Sequence, residues 1–251
     1  MANEMRTSPA HLVRNHIYSL ERVFLALLFS LLLVVGGHAL AENVPSSQPQ
    51  ILEEAYGSAF IGPPPLPDSV EAKEDMAVVL WIQRIRTKKQ VGFAKYANDL
   101  SVETFAPIIS KDLFKVDAAA LKNLLEDAAQ NVKASYFALK DRYKRLRPYE
   151  ANSDVHAVVK LGDSFSYPSG HATRAMFIAK LLSEVFPGRE KELNAYAYRI
   201  AYSRVFAGVH FPSDVLAGLK LGEAYAIAVQ NLPDYAKRLK DLKAPPPPSG
   251  E

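Results

Sequence analysis

The chain has 251 residues, of which 49% are hydrophobic and 23% are charged, and its formal net charge is +3. This length is sufficient for one substantial core, and the near-neutral charge lacks the electrostatic signature of a nucleic-acid-binding protein. The absence of cysteine excludes disulfides, thiolate metal sites and cysteine nucleophiles. No alternating β pattern persists and no internal repeat is visible, so we predict an all-α fold, a compact helical bundle in a single domain.

The first 41 residues have the features of a secretory signal peptide. An apolar run at 23–35 is followed by the small-residue sequence Ala39-Leu40-Ala41. The basic residues before the run are Arg6, Arg14 and Arg22. We therefore predict a signal peptide at 1–41, cleaved after Ala41, and a periplasmic protein with no stable membrane association. An uncleaved anchor is the alternative, but the apolar run is shorter than the roughly 20 residues that a membrane span needs.

The rest of the chain divides by composition into an arm, a helical domain and a tail. Residues 42–67, rich in Pro, Ser and Gln, predict an extended N-terminal arm. Apolar residues then recur at helical spacing, which predicts a helical domain at 68–235. A C-terminal Pro-rich tail is assigned to 236–251, and its last part, 243–251, is expected to be disordered or polyproline-like. Helices are predicted within 69–88, 92–106, 117–145, 171–185, 188–205 and 213–232, with a loop at 148–165.

Lys140 and Arg147 form the first group of candidate functional residues. A separation of seven residues is within about 20° of two full helical turns, so both cations are predicted on one helix face. Pro148 discourages continuation of the helix and leaves Arg147 near its C-terminal end. A basic face on a solvated helix has the same spacing, and the stretch alone does not distinguish the two interpretations.

The second group is Tyr167-Pro168-Ser169-Gly170-His171, which precedes an apolar run. Pro168 and Gly170 interrupt any regular structure that precedes them, and Ser169 is a suitable N-cap for a helix that begins here. The free N–H groups at such a helix start bind anions readily. Pro-Ser-Gly is also an ordinary turn, so this segment alone does not establish an anion site.

The third group lies in the stretch from Ser203 to Asp214, which contains Arg204 and His210. If the chain is helical from His210 onward, Asp214 lies one turn further along and about 40° around the axis. The carboxylate then fixes the tautomer of the imidazole and leaves the other ring nitrogen free as a nucleophile or base. An exposed histidine beside a capping aspartate is the simpler alternative.

In this order, the three groups resemble the signature of the type 2 phosphatidic acid phosphatase (PAP2) superfamily. Within it, the mature chain resembles the bacterial class A non-specific acid phosphatases, from Pro63 to about Gly222. The matching positions are Lys140, Arg147, Pro148, Pro168, Ser169, Gly170, His171, Ser203, Arg204, His210 and Asp214. The family's usual Gly-Ser-Tyr before the second motif reads Ser164-Phe165-Ser166-Tyr167 here. The resemblance implies a helical bundle of the PAP2/haloperoxidase type.

The resemblance also implies an activity: a metal-independent acid phosphatase that acts on small-molecule phosphate esters and needs no cofactor. His210 would attack phosphorus to form a phosphohistidine, Asp214 would orient it, and His171 would protonate the leaving alcohol. Phosphate would be bound by Lys140, Arg147, Ser169, Gly170 and Arg204. An acid working range follows if His171 acts as a protonated acid, because an unperturbed imidazole holds its proton below about pH 6.5.

Three other functions remain open from the sequence: a vanadium-dependent haloperoxidase-like enzyme, a lipid phosphate phosphatase and a non-catalytic phosphate-binding module. The oligomeric state also remains open, with a homo-oligomer among the possibilities. We expect His156 to be a surface or loop residue. Arg174, one turn after His171, either approaches the leaving group or faces solvent.

Overall fold

Helices account for all the regular secondary structure in the computed structural model, which describes residues 58–244. The predicted signal peptide, residues 42–57 of the arm and residues 245–251 of the tail lie outside this range. The α-helices are α1 Ser58–Ile61, α2 Val70–Ile85, α3 Lys88–Tyr96, α4 Ala106–Ile109, α5 Ala118–Tyr143, α6 Pro148–Ala151, α7 Gly170–Val185, α8 Glu190–Phe206, α9 Pro212–Gln230 and α10 Pro233–Asp241. Short 3₁₀ helices occur at Val102–Phe105, Leu113–Lys115 and Pro187–Arg189.

Helix α7 is the centre of the bundle. Eleven of its 16 residues are buried, and it packs against α5, α8 and α9. A helix that is apolar on nearly all sides must be surrounded by other elements. Ser169 caps its start, since its Oγ accepts a hydrogen bond from the Ala172 N–H at 3.4 Å. The second motif of the sequence therefore lies at the first turn of the most buried helix.

Helix α5 is one uninterrupted helix and delivers the first motif. Asp117 caps its start by accepting hydrogen bonds from the N–H groups of Ala119 and Ala120, both at 3.0 Å. Buried residues at three- and four-residue spacing form its apolar face. The helix ends at Tyr143, where Lys144 takes a left-handed conformation with a φ of 46°. Lys140 thus lies in the last turn, at the end of the bundle that carries the site.

Helices α7 and α9 approach each other closely through two glycines of α9. A Cβ atom on Gly218 would lie 2.5 Å from the Ser169 carbonyl oxygen. A Cβ atom on Gly222 would lie 2.3 Å from the carbonyl oxygen of Thr173. These distances leave no room for a side chain, so the two backbones are in direct contact. This contact sets the spacing between the second and third motifs.

Two predicted boundaries are wrong. The helix predicted within 92–106 instead begins at Lys88 and ends at Tyr96, and a separate 3₁₀ turn, Val102–Phe105, follows it. The tail predicted to begin at 236 instead continues helix α10, which Pro233 starts, as far as Asp241. Its apolar residues pack on the bundle, and the Ala244 N–H donates to the Val185 carbonyl at 2.8 Å.

The predicted arm is helical at α1 within the range that the structure describes, and residues 62–66 after it form no regular structure. The Tyr167 hydroxyl contacts the carbonyls of Ile61 and Gly62 at 3.1 and 3.0 Å. This contact fastens the segment to the bundle beside the second motif. Between residues 58 and 244, no helix combines the length and the apolar character needed to span a bilayer.

Candidate active site

Lys140 and Arg147 lie together as predicted, but they do not lie on one helix. The left-handed Lys144 ends α5, and Pro148 disfavours a helical conformation for the residue before it. Arg147 therefore occupies the N-cap position of α6 with extended backbone angles. Its Nη1 donates to the Val209 carbonyl at 3.0 Å and lies 3.4 Å from the Nε2 of His210. The loop after α5 thus brings Arg147 to the third motif.

Lys140 reaches the same region from the last turn of α5. Its side chain is only 2% exposed, and its Nζ donates to the carbonyls of Phe165 and Ser166. Burial, reinforced by the charge of Arg147, lowers the pKa of Lys140 to about 7. Its positive charge is therefore present below about pH 7 and is lost above it.

The second motif contributes the first turn of α7. Gly170 packs so closely that an added Cβ atom would lie 2.7 Å from the ring of Tyr136. The Ser169 N–H donates to the backbone carbonyl of Asp214 at 3.0 Å. Nε2 of His171 lies 2.8 Å from the Asn98 carbonyl. A carbonyl only accepts hydrogen bonds, so Nε2 carries the proton and Nδ1 is free to exchange one.

Arg204 lies on the other side of the same asparagine. Its Nη1 donates to the Asn98 side chain at 3.2 Å, its Nε donates to Ser203 at 3.2 Å, and its Nη2 donates to the Ala94 carbonyl. The guanidinium is 1% exposed, and burial lowers its pKa to about 10. It therefore remains charged at neutral pH. Asn98 links this cation to His171.

His210 is held from one side by Asp214, although α9 begins only at Pro212 and the histidine lies outside it. Its Nδ1 lies 3.4 Å from the Asp214 carboxylate and 3.4 Å from the Ser166 hydroxyl. Ser166 donates to the same carboxylate oxygen at 2.5 Å. Nδ1 therefore carries the proton that faces Asp214, and Nε2 presents its lone pair on the side of Arg147.

Asp214 is further fixed by Arg145, which the sequence did not single out. Arg145 Nη1 contacts the second carboxylate oxygen of Asp214 at 2.6 Å, and its Nη2 contacts Asp75 at 2.8 Å. The guanidinium also stacks on the ring of Phe211, 4.1 Å from its centroid. A buried chain of alternating charges thus supports the aspartate that orients His210.

These surroundings keep both histidines neutral. Burial lowers the pKa of His210 to about 3. Burial and the charges of Arg204 and Arg174 lower the pKa of His171 well below 6.5. Although burial alone would raise the pKa of Asp214, the hydrogen bond to His210 and the charge of Arg145 bring it down to about 2. A neutral imidazole behind an ionised carboxylate is the state that a nucleophile requires.

The eight predicted residues converge, because hydrogen bonds or close packing join all of them to this one region. Seven are buried, and His171 alone among the eight is partly exposed. Within residues 58–244, no three His, Asp or Glu side chains are grouped in a way that would hold a metal ion. His156 is exposed, as expected, and lies outside the site.

Sequence reasoning missed Arg145, Asp75, Asn98 and Ser166 as parts of this site. Three of them pair across more than 65 positions of the chain, and such contacts leave no local pattern. Ser166 does have a signal in the sequence. It lies just before the second motif, where this chain differs from the family's usual Gly-Ser-Tyr.

Comparison with known proteins identifies the family. The PAP2 superfamily model matches residues 123–238. Over 86% of its length, the chain is 30% identical to a non-specific acid phosphatase of Salmonella typhimurium, and the match covers 90% of that protein. A non-specific acid phosphatase of Providencia stuartii is 28% identical over 74% of this chain and 78% of its own.

The chain therefore belongs to the PAP2 superfamily, and within it to the group of the non-specific acid phosphatases, as the motifs predicted. The fold type is confirmed as well. A bacterial vanadium-dependent iodoperoxidase superposes with a TM-score of 0.56 at 16% identity, over 68% of this chain and 52% of the other. The chain spans about half of that enzyme, and the likeness concerns the fold alone.

Proposed function

We propose that this chain is an acid phosphatase that hydrolyses soluble phosphate monoesters through a phosphohistidine on His210, without a metal ion. The observation that carries the proposal is the arrangement of His210 between Asp214 and Arg147. Nδ1 faces the carboxylate, and Nε2 lies 3.4 Å from a guanidinium nitrogen. A phosphorus atom attacked by Nε2 has its oxygens within reach of that cation. The similarity to non-specific acid phosphatases supports the same activity.

The first chemical step transfers the phosphoryl group to the enzyme. The Nε2 lone pair of His210 forms a bond to phosphorus as the bond to the leaving oxygen breaks. Nδ1 of His171 gives its proton to that oxygen, so that a neutral alcohol departs. Arg147, Arg204 and Lys140 bind the non-bridging oxygens and stabilise their charge, which is the main task of a protein in phosphoryl transfer.

The second step regenerates the enzyme. Nδ1 of His171, now unprotonated, removes a proton from water, and the water oxygen forms the new bond to phosphorus. The bond between phosphorus and Nε2 of His210 breaks, and inorganic phosphate leaves past His171. Ser169 and the Gly170 N–H add neutral donors at the start of α7, where a helix favours an anion.

The low pKa of His171 requires an addition to the expected acid mechanism. Burial and the neighbouring cations disfavour a proton on His171 even below pH 6.5. A substrate dianion among Arg204, Arg147 and Lys140 offsets their charge and raises the pKa of His171 again. Binding and protonation are therefore coupled. The charge of Lys140, present below about pH 7, also favours activity in acid.

The cellular setting is part of the proposal. The basic and apolar N-terminal segment supports export and cleavage after Ala41, and hence a periplasmic enzyme. Its partners would be small phosphate esters, with no nucleic acid and no stable membrane association, in a monomer or a homo-oligomer. Cell fractionation, together with N-terminal sequencing of the mature chain, tests this part.

A direct assay tests the chemistry. We expect p-nitrophenyl phosphate to be hydrolysed between about pH 5 and 7 with EDTA present, and a phosphoenzyme to be trapped by rapid quenching. His210→Ala should lower kcat by several orders of magnitude and abolish the phosphoenzyme. His156→Ala, at an exposed histidine outside the site, is the matched control and should keep full activity.

Other outcomes would redirect the assignment. Loss of activity in EDTA that is restored by a divalent ion would contradict the metal-independent mechanism. Halide oxidation with vanadate and peroxide, in place of ester hydrolysis, would favour a haloperoxidase. Phosphate binding without turnover would reduce the chain to a binding module, and turnover only on detergent-dispersed lipid phosphates would assign a lipid substrate.

A further inference from the structure

Arg174 is a cation beside the site that the mechanism does not use. It lies on α7 one turn after His171 and is partly buried. Its Nη1 donates to the Leu100 carbonyl at 3.4 Å, a long hydrogen bond, and its Nε is buried without a hydrogen-bond partner. No carboxylate in the described part of the chain forms an ion pair with it. A guanidinium in this state retains donors and charge for a ligand.

The side chain of Arg174 lines a cavity of about 400 Å³. Ligand pockets in proteins start at about 300 Å³, so the cavity is large enough for a small anionic group and what it is attached to. The cavity is also lined by Leu100 and by two carboxylates, Glu126 and Asp127.

The two carboxylates in this cavity are paired elsewhere. Asp127 binds Arg238 at 2.9 Å and Tyr235 at 3.1 Å. Glu126 lies 3.7 Å from Lys122, its i−4 neighbour on α5. Neither forms an ion pair with Arg174, whose charge is therefore available to a ligand in the cavity.

The cavity adjoins the site on the side of His171. One short segment contacts both His171 and Arg174: the Asn98 carbonyl contacts His171, and the Leu100 carbonyl contacts Arg174. Arg174 is also close enough to His171 for its charge to lower the pKa of that histidine. His171 is the group that gives its proton to the leaving oxygen, so a leaving group that departs past His171 meets Arg174.

We propose that Arg174 and this cavity form a subsite for a second phosphate carried by the leaving group. The subsite rests on the proposed phosphatase activity and refines it. The preferred substrates would be organic diphosphates and related esters whose leaving group is itself anionic. The bond that breaks and the proton transfers are those of the monoester reaction, with a phosphate in place of the alcohol.

Two substrates that share one organic group separate the effect of a charged leaving group from that of the organic group itself. ADP and AMP both carry adenosine, but the leaving group of ADP bears a phosphate whereas that of AMP is uncharged. We expect Arg174→Gln to lower kcat/KM for ADP by about tenfold or more, since a charge-assisted hydrogen bond is lost. With AMP and p-nitrophenyl phosphate the change should remain within about threefold, and Arg174→Lys should retain part of the ADP activity.

Arg84→Gln provides a matched control, because Arg84 is an exposed arginine of α2 and its loss makes the same change in net charge. It should leave all three substrates unaffected. An equal fall for ADP and AMP in Arg174→Gln would show that Arg174 acts only through His171, and an unchanged ADP rate would also overturn the subsite. Failure of the wild-type enzyme on AMP and p-nitrophenyl phosphate alike would refute the phosphatase instead. Melting temperatures of each variant identify any loss of folding.

Discussion

The carboxylate of Asp214 is held in place by several residues of the site. One carboxylate oxygen accepts hydrogen bonds from the Ser166 hydroxyl at 2.5 Å and the Phe211 N–H at 2.8 Å, and the other contacts Arg145 at 2.6 Å. A buried carboxylate with this many donors stays ionised and cannot rotate freely. The direction of the His210 lone pair is therefore fixed before any substrate binds.

Ser166 should act as a positioning residue. We expect Ser166→Ala to lower kcat by about ten- to a hundredfold with little change in KM, because the ring of His210 loses one of its two supports while the phosphate donors remain. Single-turnover measurement of phosphoenzyme formation tests this directly.

Two further variants give this prediction its controls. Ser166→Thr keeps the hydroxyl and should restore most of the rate. Ser183→Ala removes a hydroxyl that only bonds within α7, to the Ala179 carbonyl, and should leave kcat unchanged. An increase in KM with unchanged kcat in Ser166→Ala would instead indicate a role in substrate binding.

At the scale of single residues, the sequence pointed to the candidate reactive and phosphate-binding side chains but not to the residues that hold them in place. Lys140, Arg147 and His210 follow from motif spacing. The reason given for two of them was wrong: Arg147 lies beyond α5, and His210 precedes α9. Arg145 has no such pattern in the sequence, because its partners Asp75 and Asp214 lie 70 and 69 positions away.

At the scale of elements, the contact between α7 and α9 determines the geometry of the site. The two helices carry the second and third motifs and touch where Gly218 and Gly222 have no side chain. Small residues at i and i+4 place backbone against backbone on one helix face. A displacement of α9 would move Asp214 relative to Ser169.

Gly222→Ala should destabilise the protein by about 1–3 kcal/mol, because the added methyl group would lie 2.3 Å from the Thr173 carbonyl and must push the helices apart. Urea denaturation measures the change. Gly92→Ala on α3 is the matched control, since no atom lies within 4 Å of its new Cβ. That substitution should stabilise the protein by about 0.5–1 kcal/mol through helix propensity. Equal effects at both positions would contradict the close packing.

The helices themselves were largely predictable. Long apolar periodicity correctly indicated α5, α7 and α9, whose buried faces are continuous. The errors occurred in segments whose local sequence pattern does not indicate how they pack in the folded protein. Helix α10 is strongly charged and was assigned to the tail, but Tyr235 and Leu239 anchor it in the bundle. The segment at 92–106 has apolar residues that suit a helix, yet the chain turns there to bring Asn98 to the site.

At the scale of the whole molecule, the neutral histidines couple folding to pH. The pKa of His210 falls from 6.5 to about 3 in the folded protein. Between these values the unfolded chain binds more protons, so stability falls as the pH decreases through this window. His171 contributes with the same sign, because its pKa is also lowered. Asp214, with a pKa of about 2, stays ionised throughout this range.

The wild-type protein should therefore lose stability between pH 7 and 5 in a buffer without phosphate. His210 accounts for about 2 kcal/mol of this loss, at roughly 1.4 kcal/mol per pH unit below 6.5. His210→Asn should lose correspondingly less over the same interval. The free energy of unfolding at the two pH values, measured for both proteins, tests the expectation. Parallel slopes would show that folding leaves the pKa of His210 unchanged.

The hydrogen bond from the Ser169 N–H to the Asp214 carbonyl, at 3.0 Å, involves main-chain atoms alone. No exchange of one amino acid for another deletes either partner, unless proline replaces Ser169. The side chains around the site can therefore change while Ser169 and Asp214 keep their spacing. Substitutions can therefore alter specificity without removing the hydrogen bond that sets this spacing.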